Sequence, residues 1–405
     1  MDTGSDIEMR GLKLQLGQLL IIGFDGTEMS PRLASLLTQI QPAGVILFAR
    51  NITGAAQTHT LLRECQKLVG TPLFTCVDLE GGSVDRFREV VGGAPSPAEV
   101  FATGRRALFR KHGRIIGENC RALGFNVDFA PVLDLAFAPS RKVMSSRAVS
   151  DDPKQVAIYA REFLQGLKDA GVLGCGKHFP GLGEGQLDSH HELPVIEKPL
   201  KKMMAEDLAP YRLLRGQLPF VMVSHAAYPE VTGERTPASL SKRWITEILR
   251  KKIGYNGLVV SDDLEMGAVM EFAPIEETAV QHIRAGGDLA LICHKEEMIW
   301  RAYEALVREA ERDRRFALLA AEAGARVQRL RKKLFSAYRY SISPSPTQAK
   351  TEKLTRQLWE FGEEIRLAAI PQEDLTHLYS GVGTPTTETR RHGEIQRRRS
   401  KRERA

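Results

Sequence analysis

The sequence has no CxxC pair, no basic segment ahead of an apolar core at its start, and no uncharged apolar run near the roughly 20 residues needed to cross a bilayer. The five cysteines (Cys65, Cys76, Cys120, Cys175 and Cys293) are odd in number and far apart, so they read as reduced, mostly buried thiols rather than a disulfide framework. Met1–Asp6 is polar and acidic, which argues against a secretory leader and for a cytoplasmic location. Excess charge is also scarce over most of the chain. The net charge is +7, yet residues 390–404 hold eight Arg or Lys against two Glu and carry nearly all of it. That basic tail reads as a solvated segment, and neither a nucleic-acid partner nor a membrane partner is expected.

What the chain does have is regularity. Eight apolar runs of strand length recur, at Leu19–Phe24, Gly44–Phe48, Leu73–Asp78, Val127–Val132, Val172–Lys177, Phe220–His225, Leu258–Asp262 and Leu289–His294. Near-continuous apolar runs are the mark of parallel strands covered on both faces. Amphipathic helical patterns such as Pro153–Asp169 and Thr278–Ala285 lie between them. Eight strand–helix alternations predict an α/β fold, a (β/α)8 barrel of the TIM type, with a doubly wound open sheet as the alternative. Residues 1–338 are expected to form the catalytic barrel. Residues 339–405 are expected to comprise a linker around Ser341–Thr347, a helix over Thr351–Ala368 and the basic tail.

In a barrel of this kind, chemistry gathers where the strands end. Asp78, Lys177, His178, His225, Asp262 and His294 stand at or just past the ends of five of the runs. The densest segment is Lys177-His178-Phe179-Pro180-Gly181, followed by Asp188-Ser189-His190 and His191. An Asp two residues before a His can accept its ring N–H and raise its basicity, so Asp188 and His190 form a candidate acid/base pair. Gly181, Gly183 and Gly185 would keep the loop between them pliable. A second segment, Ser261-Asp262-Asp263-Leu264-Glu265, runs from strand into an expected helix start. There Asp262 is either a helix cap or a carboxylate held ionised as a nucleophile. A third, Asp78-Leu79-Glu80-Gly81-Gly82 with Asp85-Arg86, offers groups for polar ligands, with Glu80 read as a structural residue of the glycine turn. No HExxH or similar spacing makes these histidines metal ligands. His225 and His294 are equally readable as structural or as pocket-lining.

Taken together, Val77-Asp78-Leu79-Glu80-Gly81-Gly82, Asp128-Phe129-Ala130-Pro131-Val132, Ser146-Arg147, Lys177-His178-Phe179-Pro180-Gly181, Asp188-Ser189-His190 and Ser261-Asp262-Asp263-Leu264 resemble the catalytic barrel of glycoside hydrolase family 3. The likeness is to its bacterial β-N-acetylglucosaminidases of peptidoglycan recycling, and it covers roughly residues 14–335. The resemblance implies a retaining double displacement without metal or organic cofactor. Asp262 would be the nucleophile, His190 the acid/base and Asp188 its orienting partner. Asp78, Arg86, Arg147, Lys177 and His178 would bind the sugar. The substrate would be a small saccharide or muropeptide, such as N-acetylglucosaminyl-1,6-anhydro-N-acetylmuramic acid. An imidazole then does what a second carboxyl does in most retaining glycosidases. The loop Gly181-Leu182-Gly183-Glu184-Gly185 departs from the family at Leu182 and Glu184, which touches aglycone preference rather than the dyad. Two alternatives stay open, a family 3 phosphorylase and a non-catalytic sugar-binding barrel. The oligomeric state is not set by these residues.

Overall fold

The structure is a computed structural model and describes residues 4–140, 144–185, 193–335 and 343–369. Eight parallel strands close a barrel: β1 (Leu20–Ile22), β2 (Gly44–Ile46), β3 (Phe74–Val77), β4 (Val127–Asp128), β5 (Leu173–Phe179), β6 (Phe220–Val223), β7 (Leu258–Asp263) and β8 (Leu289–Ile292). Each pairs with its neighbours in sequence, and β8 returns to β1 with Leu20 opposite Ala290 and Ile22 opposite Ile292. The expected (β/α)8 architecture is the one observed: six expected runs contain a barrel strand, and at Val172–Lys177 and Leu258–Asp262 the strand runs on to Phe179 and Asp263.

Period-two alternation explains the two cores. Ile21, Ile46, Phe74, Cys76, Phe220, Met222, Leu258, Val260, Leu289 and Leu291 pack together inside the barrel. Their strand neighbours Val45, Val77, Val221, Val223, Val259 and Ile292 join the larger core under the helices. Successive side chains of a strand point to opposite faces, so one apolar run feeds both layers. All five cysteines are buried and unbridged. Burial pushes the Cys65 thiol up to about 12, so it stays protonated and unreactive.

The barrel floor is closed by the helix Arg314–Phe335, whose Val327 and Leu330 enter the inner core. Arg331 lies over the Phe74 ring at 5.3 Å and donates to Gln18 Oε1 at 2.6 Å and to the Ala43 carbonyl at 3.2 Å. Beyond it the helix Gln348–Ala368 buries Leu354, Leu358, Phe361 and Ile365, spaced to form one stripe. Phe361 stacks on His112 at 5.8 Å, so this helix shares the barrel's core. Among the described residues no helix is long and apolar enough to cross a membrane.

Two helix starts differ. Asp152 caps the helix Pro153–Ala170 by accepting from the Lys154 N–H at 2.8 Å. Ser261 and Asp262, by contrast, cap nothing: β7 continues through Asp263, and the next helix, Gly267–Met270, starts after a turn. The side chains are spent elsewhere. Ser261 Oγ accepts from the Leu291 N–H on β8, and Asp263 Oδ1 accepts from the Glu265 and Cys293 N–H groups.

Candidate active site

The alternation that fills the barrel also aims the polar residues at its mouth. Asp78 continues the inward set Phe74, Cys76; Lys177 continues Leu173, Cys175; Asp262 continues Leu258, Val260. Three strand ends thereby deliver two carboxylates and an ammonium to one place.

Lys177 is the hub. Its Nζ lies 2.8 Å from Asp78 Oδ1 and 2.6 Å from Glu80 Oε1. Glu80, only 1 % exposed, also takes a fork from Arg147, whose Nε and Nη2 reach Oε2 and Oε1 at 2.8 Å each. Bidentate pairing of this kind fixes both planes and compensates for lost hydration. Burial opposes ionisation of Glu80, but Arg147 and Lys177 outweigh it and hold the carboxyl well below its usual range. Burial likewise opposes the charge on Lys177, and Asp78 and Glu80 raise it above the usual lysine range. Glu80, Arg147 and Lys177 are therefore all ionised at neutral pH. Asp128, fully buried, differs: burial pushes its carboxyl well up, and among the described residues its Oδ1 accepts from the Leu79 N–H at 2.9 Å while Oδ2 has no partner.

Asp262 is half-buried at the end of β7. Burial works against its charge, yet the His178 and His225 imidazoles, the Asp263 N–H (2.9 Å from Oδ1) and Lys177 outweigh it and hold the carboxyl below the usual aspartate range. The position is fixed from behind by His225. That ring is buried between Ser239 Oγ at 2.7 Å and the Asp263 carbonyl, to which Nε2 donates at 2.9 Å, and burial lowers its pKa. His294 is a rim residue instead. It is exposed, stacks on Phe48 at 5.5 Å, and its Nε2 lies 3.2 Å from Asp263 Oδ2, a contact that raises its pKa.

His178 is held by Asp134, whose Oδ2 accepts from the ring Nδ1 at 2.7 Å and from the His178 N–H at 3.1 Å. Its Nε2 is turned towards Arg147 Nη2, 3.5 Å away. The other oxygen, Asp134 Oδ1, accepts from the Leu182 N–H at 2.7 Å, which ties the start of the following loop to the same carboxylate. Arg86 lies further out, its guanidinium carbon 5.6 Å from the Phe48 ring, and its Nε has no partner among the described residues.

Of the expected site residues, the structure therefore gathers Asp78, Arg147, Lys177, His178 and Asp262, with Arg86 at the edge. Asp188 and His190 lie outside the described residues. Sequence reasoning missed two participants, Glu80 and Asp134, and left His225 open between a structural and a pocket-lining role. Glu80 is no mere turn residue but the clamp between Lys177 and Arg147, and its signal was the inward parity it shares with Asp78. Asp134 and His225 sit on outward or loop positions, and nothing in their local sequence points to their partners. Among the described residues no group of three or more His, Cys, Asp or Glu side chains is placed to hold a metal ion.

Residues 11–330 match the model of the glycosyl hydrolase family 3 N-terminal domain. A β-hexosaminidase from Bordetella avium is 42% identical over 264 residues, which cover 63% of this chain and 74% of that one. Among solved structures, a glycoside hydrolase family 3 β-N-acetylglucosaminidase from Paenibacillus superposes with a TM-score of 0.78 at 33% identity, over 86% of this chain and 68% of that chain. A β-N-acetylhexosaminidase from Beutenbergia cavernae gives a TM-score of 0.70 at 25% identity, over 79% of this chain and 98% of that chain. With a barrel, a mouth and a family signature that agree, this chain belongs to glycosyl hydrolase family 3 and is a glycosidase of that family.

Proposed function

We propose that this enzyme is a retaining, exo-acting β-N-acetylglucosaminidase with Asp262 as its nucleophile. The observation that carries the proposal is the Asp262 carboxyl, half-buried at the mouth yet held below its usual range beside Lys177 and His178. A carboxylate kept ionised in a partly desolvated site is what attack on an anomeric carbon needs. Asp78, Arg86, Arg147, Lys177 and His178 bind the terminal sugar. Arg147 and Lys177 are aligned for its hydroxyls by Glu80, and His178 by Asp134. Asp262 displaces the aglycone and forms a glycosyl ester. His190, oriented by Asp188, protonates the departing oxygen and then deprotonates the water that cleaves the ester. The relatives' activities on N-acetylhexosaminides support the sugar, and the family motif supports the dyad.

The natural substrate in this reading is N-acetylglucosaminyl-1,6-anhydro-N-acetylmuramic acid, with or without stem peptide, met in the cytoplasm during peptidoglycan recycling. The test is hydrolysis of an aryl β-N-acetylglucosaminide against its β-glucoside counterpart, followed by proton NMR of the first product. Faster release of N-acetylglucosamine as the β-anomer is expected, with Asp262→Asn folded and inactive. Preference for the glucoside, an α-anomer first, or an active Asp262→Asn defeats it.

A further inference from the structure

The segment around β4 serves β3 with side chains as well as backbone. Val127 and Phe129 point into the barrel, so Asn126 and Asp128 take the opposite face. From there the Asn126 amide spans the start of β3. Its Oδ1 accepts from the Thr75 N–H and its Nδ2 donates to the Leu73 carbonyl, at 2.9 Å each. Asp128 does the corresponding work at the other end. The register pairs Val77 with Asp128, and the Val77 carbonyl accepts from the Phe129 N–H at 2.8 Å. Past Val77 the chain leaves the barrel, and Leu79–Gly81 pairs antiparallel with Val84–Asp85. The Leu79 N–H stands at that junction, and Asp128 Oδ1 accepts it at 2.9 Å.

Leu79 lies between Asp78 and Glu80, whose oxygens reach Lys177 Nζ at 2.8 and 2.6 Å. Moving the Leu79 peptide therefore moves both carboxylates against the lysine. Asp128 is wholly buried, and its Oδ2 has no partner among the described residues. Burial, and the nearby Asp78 and Glu80, favour its neutral form over the pull of the Leu79 N–H and Lys177. With the proton on Oδ2, Oδ1 remains an acceptor, and Asp128 does not compete with Asp78 and Glu80 for Lys177. The neutral acid then has one acceptor and one donor, the layout of the Asn126 amide two residues earlier.

We propose that Asp128 is a positioning residue: its buried side chain holds the Leu79 N–H where the chain leaves the barrel, and so fixes how Asp78 and Glu80 meet Lys177. It acts on the sugar through those groups and does not touch it. This rests on the proposed function, in which Asp78, Arg147 and Lys177 bind the terminal sugar.

The test is a double-mutant cycle on kcat/KM for an aryl β-N-acetylglucosaminide. Asp128→Asn keeps the acceptor oxygen without a charge and is expected to stay within about twofold of wild type. Asp128→Ala removes the acceptor and should lose about tenfold, with the inhibition constant of free N-acetylglucosamine rising in step. In an Asp78→Asn background the same Ala substitution should cost less than about threefold, because the group it aligns is already impaired. If Asp128→Ala does not fold, Asp128→Val, which fills the space without an acceptor, takes its place in the cycle. Equal losses in the two backgrounds, an Asn variant that loses tenfold, or no loss in any variant overturns the positioning role. Wild-type turnover in those cases keeps the proposed function standing, and a wild-type protein that cleaves no aryl β-N-acetylglucosaminide defeats both.

Discussion

Lys177 and Glu80 meet at 2.6 Å inside a closed set of charges, with Asp78 on the lysine's other side and Arg147 forked onto the glutamate. Each ion is held by another, so the sugar-facing groups are fixed before any ligand arrives. Groups held in place beforehand lose less freedom when the reacting geometry is reached.

Removing the clamp is expected to cost stability as well as function. Glu80→Gln leaves Lys177 with Asp78 and takes from Arg147 its forked carboxylate, and the expected loss is about 3–5 kcal/mol. Urea unfolding at neutral pH measures it, alongside an increased KM for the aryl glycoside. A loss below about 1 kcal/mol would place Glu80 with ordinary surface pairs.

The buried cation of the floor should behave in the opposite way. Among the described residues Arg331 bonds to Gln18 and the Ala43 carbonyl and has an Nε without a partner, and burial lowers it to about 10. Gln18 Oε1 keeps a bond from Thr71 Oγ1, and the Ala43 carbonyl keeps one from the Phe74 N–H. Arg331→Met therefore orphans neither acceptor, and its stability in urea should lie within about 1 kcal/mol of wild type or above it. A loss of several kcal/mol would show that the guanidinium holds the floor together.

Acid sensitivity should divide by sign. Burial lowers His282 to about 4, so it stays neutral in the fold but titrates near 6.5 once unfolded. Its contribution is intact above about pH 6.5 and is lost as pH falls towards 4, amounting to about 2 kcal/mol at pH 5. Asp128 runs the other way: its raised carboxyl favours the fold at low pH and costs stability as pH rises through that pKa. Relative to wild type, His282→Gln should flatten the loss between pH 8 and 5, and Asp128→Asn should deepen it. Unfolding midpoints across that range check both, and parallel curves would refute the assignment.

The acid limb of the reaction should follow Asp262. Because its carboxyl lies below the usual range, kcat/KM should hold as pH falls through about 4 and collapse only below it. Initial rates after brief acid exposure separate this limb from unfolding. A limb above about pH 5 would mean that another group controls attack.

Much of this was legible in one dimension. The eight strands announced themselves because each apolar run is local, and their polar ends marked the mouth because strand ends are local too. Parity even held an unread signal, since Glu80 shares the inward phase of Phe74, Cys76 and Asp78. What could not be read was pairing at a distance. Asp134 reaches His178 across 44 positions, and His225 spans Ser239 and the carbonyl of Asp263.

The chain alone thus determined the barrel, its family and the chemical types at its mouth, because these depend on periodicity and on neighbours in sequence. Only the tertiary structure decided which carboxylates are charged and which cations they hold, and that the Leu182 N–H is tied to Asp134. Those outcomes depend on burial and on contacts a few ångströms long. Neither exists until barrel closure brings β3, β5 and β7 together.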